Sequence, residues 1–546
     1  MVQGSAMFSD SRLDNSPSVT LEKGAYRMRA PRARISPPSG RGSTTRISHH
    51  YTTRERRTAV LIFLLVAATI SCFGTAYYLF KTRSVSTTLE PPSVPYSDDT
   101  IAQVIECDHD DELRVFSPTA EDRYLAYLPH SGFHNQRIAF ENALVLSRLL
   151  NRTLLVPPIR LGEKPIRYVQ YDILRQFLAV SGKEGLHHCL KVPPHSFVPD
   201  ECIDYFNYTY LPWEWLVDLA KVKMDQTLLQ VWNFTESWSV DHLGISQEDT
   251  LTLRDTHPYQ YRFSDYITDA SLSNGKFFEN IYIPDLAKSP ARHIQIGTLF
   301  GSSRLRLKEK ESLRVRKKIR KSMAFSNSLL LDAANGIKDT LGGIYLGAHI
   351  RVGDSHFKTD ANSTARMIWW RLVREVLRFS TDDTLKLENK TRQVHLDPHP
   401  NLRPPHLSLP SGRKPHPPLP PLAKIYTPHI ACRGTLHTSP RLRSLNIPLF
   451  ISTDSQDPTS DPSFVLFLRT FPCTFFLSDF PSQTALLHLR NSYDGVQMRK
   501  FLIPFLDAMV VGKAREVVGT EGSTYSRFVQ DVLWRTYNGW EIVQRG

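Results

Sequence analysis

The sequence predicts an α/β protein in two parts behind an N-terminal membrane anchor, on three observations. Tyr124-Leu-Ala-Tyr-Leu128 and Thr153-Leu-Leu-Val156 are short apolar runs separated by a polar loop and a helical repeat, a strand–loop–helix–strand unit of the open α/β type. Gly342 to Ile350 is a second buried-strand candidate far downstream, so the pattern starts again. Thr58 to Phe80 holds 23 residues without a charge. At 1.5 Å per residue it reaches roughly 34 Å, enough for a hydrocarbon core of ~30 Å.

The ends of that run give it a direction. Arg54, Arg56 and Arg57 stand before it, and Tyr77 and Tyr78 sit near its far end as interfacial anchors. Residues 1–57 carry eleven Lys/Arg against four Asp/Glu, a net of +7 out of +13 for the chain. More than half of the excess charge therefore lies in a Ser-, Pro- and Arg-rich tail that cannot bury a core. No helix-turn-helix, zinc-finger or RNA-recognition pattern accompanies it, which argues against a nucleic-acid partner. A basic cytoplasmic tail (1–57), a span (58–80) and a stem (81–104, with Pro91, Pro92 and Pro95) make a single-pass type II membrane protein whose body faces the secretory lumen. Five N-x-T triplets, at Asn151, Asn207, Asn233, Asn362 and Asn389, agree with a lumenal body. Of six cysteines, Cys72 lies in the span, leaving an odd five. Cys189 with Cys202 and Cys432 with Cys473 are the pairings to test, since connectivity is not fixed by sequence.

With 546 residues the chain exceeds one ordinary domain. The first part is expected over 105–340. Its helix is marked by Ile138, Ala139, Asn142, Ala143, Leu146, Leu149 and Leu150 at three-four spacing, and its stretch 165–320 is aromatic and weakly periodic. The second part is expected over 341–546. A helix is placed near 364–379, strands at Leu449–Ser452 and near Thr474–Leu477, a helix near Ile503–Val511, a strand Glu516–Val518 and a last helix through Trp534. Residues 381–424, dense in Pro, His and basic residues, read as a solvated insertion; their histidines lack metal-ligand spacing.

Three loops follow predicted strand ends and precede helices, the rim where open α/β sheets bind ligands. In His349-Ile-Arg-Val-Gly-Asp354, Arg351 offers a planar fork suited to a diphosphate, Gly353 permits a sharp turn and Asp354 can orient the guanidinium; a structural Arg–Asp pair is the plainer explanation. In Glu521-Gly-Ser-Thr-Tyr-Ser526, hydroxyls precede a helix as a phosphate cradle or as an ordinary N-cap. In His130 to Gln136, the amides of Asn135 and Gln136 can meet sugar or phosphate oxygens, or merely cap a helix.

Taken together, Gly132-Phe-His-Asn-Gln136, His349 to Asp354, Phe450-Ile-Ser-Thr-Asp454 and the terminal run from Asp507 to Ser526 resemble the GDP-fucose protein O-fucosyltransferase family, inverting enzymes with an HxRxGD-like motif. The resemblance spans about 120–540, is looser over 165–320 and fails in the Pro-rich insertion. It implies a GT-B-like fold, two Rossmann-like domains facing a cleft, with GDP-fucose held mainly by the C-terminal one. It also implies roles. Arg351 holds the diphosphate and is catalytic with Asn135. His349, Asp354, Ser523, Thr524 and Tyr525 bind the donor, Asp507 reads the guanine edge, and Gly132, Phe133 and Asn135 reach across from the N-terminal side. A fixed guanidinium stabilises the departing diphosphate more in the transition state than in the ground state. In this class that cation replaces a metal, so no cofactor is expected. His134 and Glu141 are the candidate general bases. Two other readings stay open: a metal-dependent transferase using Asp108-His-Asp110, and a tethered sugar-nucleotide- or glycan-binding protein without transfer. The acceptor is a protein Ser/Thr or glycan hydroxyl, and a stem-bearing type II layout favours the Golgi over the ER.

Overall fold

Tyr124–Tyr127 (β1) feeds the loop 128–132 and then the long helix Phe133–Leu150 (α1). The helix starts at Gly132 and stops where Asn151 adopts a left-handed conformation (φ 50°), which Asn tolerates better than most side chains. Thr153–Val156 (β2), Leu228–Gln230 (β3), Thr250–Leu253 (β4) and His293–Ile296 (β5) complete a five-stranded sheet in the order β3-β2-β1-β5-β4, every pair parallel. In the second half, helix Ser328–Thr340 (α2) precedes Leu346–Ile350 (β6). Leu449–Thr453 (β7), Thr474–Phe475 (β8), helix Arg499–Gly512 (α3), Glu516–Gly519 (β9) and helix Thr524–Phe528 (α4) follow. Their sheet is parallel too, in the order β8-β7-β6-β9. Alanine at Gly347 of β6 would put its Cβ 2.8 Å from Ala514 Cβ and 2.9 Å from Val511 O, so glycine lets α3 lie close on the sheet.

This computed structural model describes residues 65–66, 68–69, 71–74, 104–105, 118–162, 164–193, 196–267, 276–353, 355–395, 403–405, 416–419 and 428–543. In both sheets the first strand of its half is flanked on one side by the next strand and on the other by a later one. The loops after β1 and β6 therefore leave the sheet where the winding direction reverses, the place where open α/β sheets take ligands.

Packing is continuous across 340/341, where the two expected parts meet. Ala102–Gly546 forms one compact unit, and a single apolar core runs from Leu125, Leu144 and Ile294 to Leu506 and Val517. Helix α2, placed by sequence at the end of the first part, packs against α3 of the second. The segment before α3 reaches back in turn. Asn491 donates to Thr209 Oγ1 (2.8 Å) and Tyr210 O (2.6 Å), and the Lys183 ammonium meets Asp494 Oδ2 at 2.6 Å with neither side chain exposed.

Other expectations have definite outcomes. Both expected disulfides, Cys189–Cys202 and Cys432–Cys473, are formed. Residues 381–424 are not one solvated insertion, because Thr381–His395 is a helix. Glu388 on it is buried, gripped by Arg366 (2.7 Å), Arg392 (2.9 Å) and the Trp370 indole (2.8 Å), while Ser380 and Asp383 close its start. Of the Thr58–Phe80 run, Leu65, Val66, Ala68, Thr69 and Ser71–Gly74 are described; they are helical, with Leu65 and Phe73 exposed. Among the described residues no helix is long and apolar enough to cross a membrane. The rest of that run, and Cys107, Asp108 and Asp110, lie outside the described residues.

Removing one partner of the buried Lys183–Asp494 pair leaves an uncompensated charge. Asp494→Ala is expected to lose about 3–5 kcal/mol in urea unfolding, and the paired Lys183→Met/Asp494→Leu variant to recover most of it. A loss below about 1 kcal/mol in Asp494→Ala would show that the pair does not join the halves.

Candidate functional site

A cavity of about 440 Å³ opens where the N-terminus of α1 meets α3 and α4. Phe133 makes the junction. Its ring lies 4.7 Å from Phe505 of α3 and 5.6 Å from Phe528 of α4, centroid to centroid, with Phe325 at 5.8 Å. Gly132, His134 and Asn135 line the cavity beside it, facing Thr524 and Tyr525. The sequence loops His130–Gln136 and Glu521–Ser526 thus do converge.

Two cations in the wall went unnoticed in the sequence, Arg160 and Lys500. Arg160 belongs to the strand Ile159–Gly162, and Gln136 sets its position. The Gln136 amide donates to Arg160 O (2.8 Å) and Ser131 O (2.9 Å), and its Oε1 accepts from Arg160 N at 3.0 Å. Gln136 is therefore committed to the backbone and does not face a ligand, contrary to the sequence reading. Among the described residues that line the cavity there is no carboxylate, so Arg160 and Lys500 give it a positive, partly aromatic wall.

His134 is buried, and neither ring nitrogen has a hydrogen-bond partner. Burial, with Arg137 and Arg527 nearby, pushes its pKa down to about 3, so the ring is neutral and weakly basic. Asn135 Oδ1 is likewise buried without a partner. Glu141, the other candidate base, is not in the wall. Its carboxylate is fully buried between Arg320 (2.7 Å) and Arg137 (3.5 Å), which makes it part of a structural ion cluster.

Behind Thr524 and Tyr525 the C-terminal motifs form one network. Asp454 Oδ1 accepts from the N–H groups of Val352 (2.7 Å) and Gly353 (2.9 Å). A Cβ on Gly353 would stand 2.9 Å from Asp454 Cγ, so glycine is needed there for close approach. Thr520 Oγ1 accepts from Arg351 N at 2.9 Å, while the Arg351 guanidinium stacks 4.7 Å above the Phe357 ring. His349 is buried. Its Nδ1 pairs with Ser526 Oγ at 2.6 Å and its ring packs 4.4 Å from Tyr525, which in turn donates to Pro504 O at 2.6 Å. Ser523 is fully buried and caps α4 by accepting from Ser526 N; its hydroxyl takes the capping role. Arg351, His349, Asp507 and Ser523 support the cavity wall and are not part of it. Asp354 lies outside the described residues.

Asp507 accepts a hydrogen bond from the Ser452 hydroxyl through Oδ2, and its Oδ1 has no partner. Burial pushes its pKa up to about 7, with the Ser452 bond opposing. The folded carboxyl therefore holds its proton more tightly than the unfolded one. Its contribution to stability is intact below about pH 4 and falls away as pH rises towards 7. Asp507→Asn keeps the Ser452 contact and removes that penalty. The stability difference between variant and parent is expected to be near zero at pH 4 and to grow to a few kcal/mol by pH 8, read from urea midpoints; a difference independent of pH would mean that Asp507 is ionised throughout.

No family model matches the chain. Over 37 residues it is 57% identical to O-fucosyltransferase 30 of Arabidopsis thaliana, a stretch that is 7% of this chain and 7% of that protein's length. Among solved structures it aligns with POFUT1 in its apo form at 13% identity and a TM-score of 0.32, covering 79% of this chain and 100% of that one. POFUT1 in complex with GDP-fucose aligns at 10% identity and a TM-score of 0.27, covering 74% of this chain and 100% of that one.

Proposed function

We propose that the chain is a fucosyltransferase that takes GDP-fucose as donor and passes fucose, with inversion, to a hydroxyl on a protein or glycan. The observation that carries this reading is the convergence of Phe133–Asn135 with Thr524 and Tyr525 on one cavity bordered by Arg160 and Lys500, with no acid among its described wall residues. Such a wall suits an anionic leaving group. The reading draws also on the motif resemblance and on the short identity to an O-fucosyltransferase.

In the proposed reaction the acceptor oxygen bonds to the fucosyl carbon as the bond to GDP breaks, and the acceptor hydroxyl's proton is released to water, since the described wall residues offer no carboxylate base. Arg160 and Lys500 in the wall balance charge on the departing diphosphate, most of all in the transition state, and Arg351 adds its charge from behind the wall. Thr524 and Tyr525 contact phosphate and ribose; the guanine-edge role that the resemblance gives Asp507 requires its buried Oδ1 to be uncovered on binding. Asn135 reaches the donor from α1. His134 serves to orient a hydroxyl; with a pKa of about 3 it is a poor proton acceptor. No metal has a role in this scheme, and the type II anchor puts the body in the lumen, in the Golgi.

A binding protein without transfer is the second reading, favoured by the weak basicity of His134 and the carboxylate-free wall. Turnover distinguishes the two.

Full-length protein in detergent, offered GDP-fucose and UDP-sugars with peptide and glycan acceptors, is expected to consume only GDP-fucose and to be indifferent to EDTA. Consumption of UDP-sugars alone, or complete loss in EDTA, would overturn the assignment. Arg351→Ala and Arg160→Ala are each expected to lower turnover at least ~100-fold, the scale of one removed transition-state contact. Near-normal rates in Arg351→Ala would reduce that residue to stacking on Phe357. Protease protection of the body in sealed microsomes tests the topology, with digestion of the body as the contrary result.

A further inference from the structure

Parallel sheets are usually apolar on both faces, because helices cover both. The sheet β3-β2-β1-β5-β4 departs from this on one face. Strands β4 (Thr-Leu-Thr-Leu) and β5 (His-Ile-Gln-Ile) alternate in phase, and the register sets His293 beside Thr250 and Gln295 beside Thr252. Ile294 and Ile296 turn into the core, whereas Thr250, Thr252, His293 and Gln295 line a separate cavity of about 420 Å³. That volume falls within the ~300–1,000 Å³ of small-ligand sites.

The chemistry of this cavity narrows its occupant. Both guanidiniums in its wall already have carboxylates: Arg175 meets Glu236 at 2.7 Å and Arg254 meets Asp172 at 3.5 Å. No surplus positive charge remains to select a phosphate. Hydroxyl, amide and imidazole groups share the wall with Trp238 and Ile245, a mixture that fits a ring with a polar edge and an apolar face. His293 is more than nine-tenths buried, and its Nε2 has no hydrogen-bond partner. Leaving such a group unpaired is unfavourable, and a ligand hydroxyl would satisfy it.

We propose that this cavity is a binding site for a neutral, hydroxyl-rich saccharide, distinct from the cavity at Phe133 and independent of the transfer reaction. The same chemistry has two possible sources. One is a free or acceptor-borne sugar. The other is the chain itself, because Asn233 of the Asn233-Phe-Thr235 triplet lines the cavity. Its Oδ1 accepts from Thr235 N at 2.8 Å, which turns Nδ2, the atom that carries an N-linked sugar, away from that bond.

The test uses full-length protein in detergent, made in a bacterial host without N-glycosylation and in a secretory host. Saturation-transfer NMR with N-acetylglucosamine, fucose and inorganic phosphate reads binding. Calorimetry with GDP, run in parallel, reports separately on the proposed donor site and on folding. The bacterial protein is expected to bind at least one of the two sugars. Thr252→Val and Gln295→Leu are each expected to weaken that binding at least 10-fold with far-UV circular dichroism unchanged. If the secretory protein carries a glycan on Asn233 and binds free sugar only as Asn233→Gln, the native occupant is the chain's own glycan. If it binds free sugar equally with or without Asn233→Gln, the occupant is external. No sugar signal from the bacterial protein, a signal untouched by both wall variants, or displacement by phosphate would overturn the proposal. GDP binding in those same samples keeps that failure apart from a failure of the donor assignment.

Discussion

The site depends on where the Phe133 ring is held. Phe133 is the first residue of α1, so the aromatic contacts it makes with Phe505, Phe528 and Phe325 fix the N-terminus of that helix against α3 and α4. Edge-to-face aromatic pairs contribute ~0.5–1.5 kcal/mol each beyond the area they bury, and they also fix direction. With α1 pinned there, His134 and Asn135 on its first turn must face Thr524 and Tyr525, and Gln136 on the same turn carries Arg160 into the wall through its amide. One apolar ring thus determines the position of the polar groups on either side.

The second constraint is the reversal of strand order beside β6. β7 and β9 lie on opposite sides of β6 and all three run parallel, so the loops after β6 and β9 emerge side by side at the same end of the sheet. Asp454, at the end of β7, then takes the N–H groups of Val352 and Gly353, and Thr520, after β9, takes that of Arg351. The backbone that presents Arg351 is therefore held from both neighbouring strands. Preorganisation of this kind is what electrostatic stabilisation of a leaving group requires, since donors that must reorganise lose much of their effect.

What the sequence made legible follows from how local each signal is. Strands β1, β2, β6, β7 and β9 and helix α1 are continuous apolar or three-four patterns, and all were readable. The helix Thr381–His395 was not, because its buried contacts are a carboxylate and threonines whose partners, Arg366 and Trp370, belong to another element. Its first turn does carry a signal, Ser380 followed three residues later by Asp383, which the Pro-rich stretch beyond it masked. Gly132 to Asn135 and Thr524–Tyr525 were found as motifs and do meet. Arg160 and Lys500 carry no motif; only the Gln136 hydrogen bonds and the packing of α3 bring them to the cavity. Glu141 is a candidate base by sequence, yet two arginines surround it, one of them from the distant helix Lys310–Ser322.

The way the halves interlock bears on how the proposed donor would enter. A two-lobed transferase that opened by rotation about the 340/341 connection would have to withdraw Asn491 from Thr209 and Tyr210 and separate Lys183 from Asp494. Each step breaks buried pairings across that boundary, and splitting a buried ion pair alone costs several kcal/mol. The core that runs from Leu125 to Val517 would be cut as well. Rearrangement near the cavity asks for less. Thr524 is exposed and Tyr525 is only partly buried, its hydroxyl donating to Pro504 O and its ring packed on His349. A local movement of the α4 start, with the lobes fixed, is the opening that the packing permits at least cost. It would also explain why His349 and Ser526 are tied together directly beneath that turn: they hold its base while its exposed edge yields.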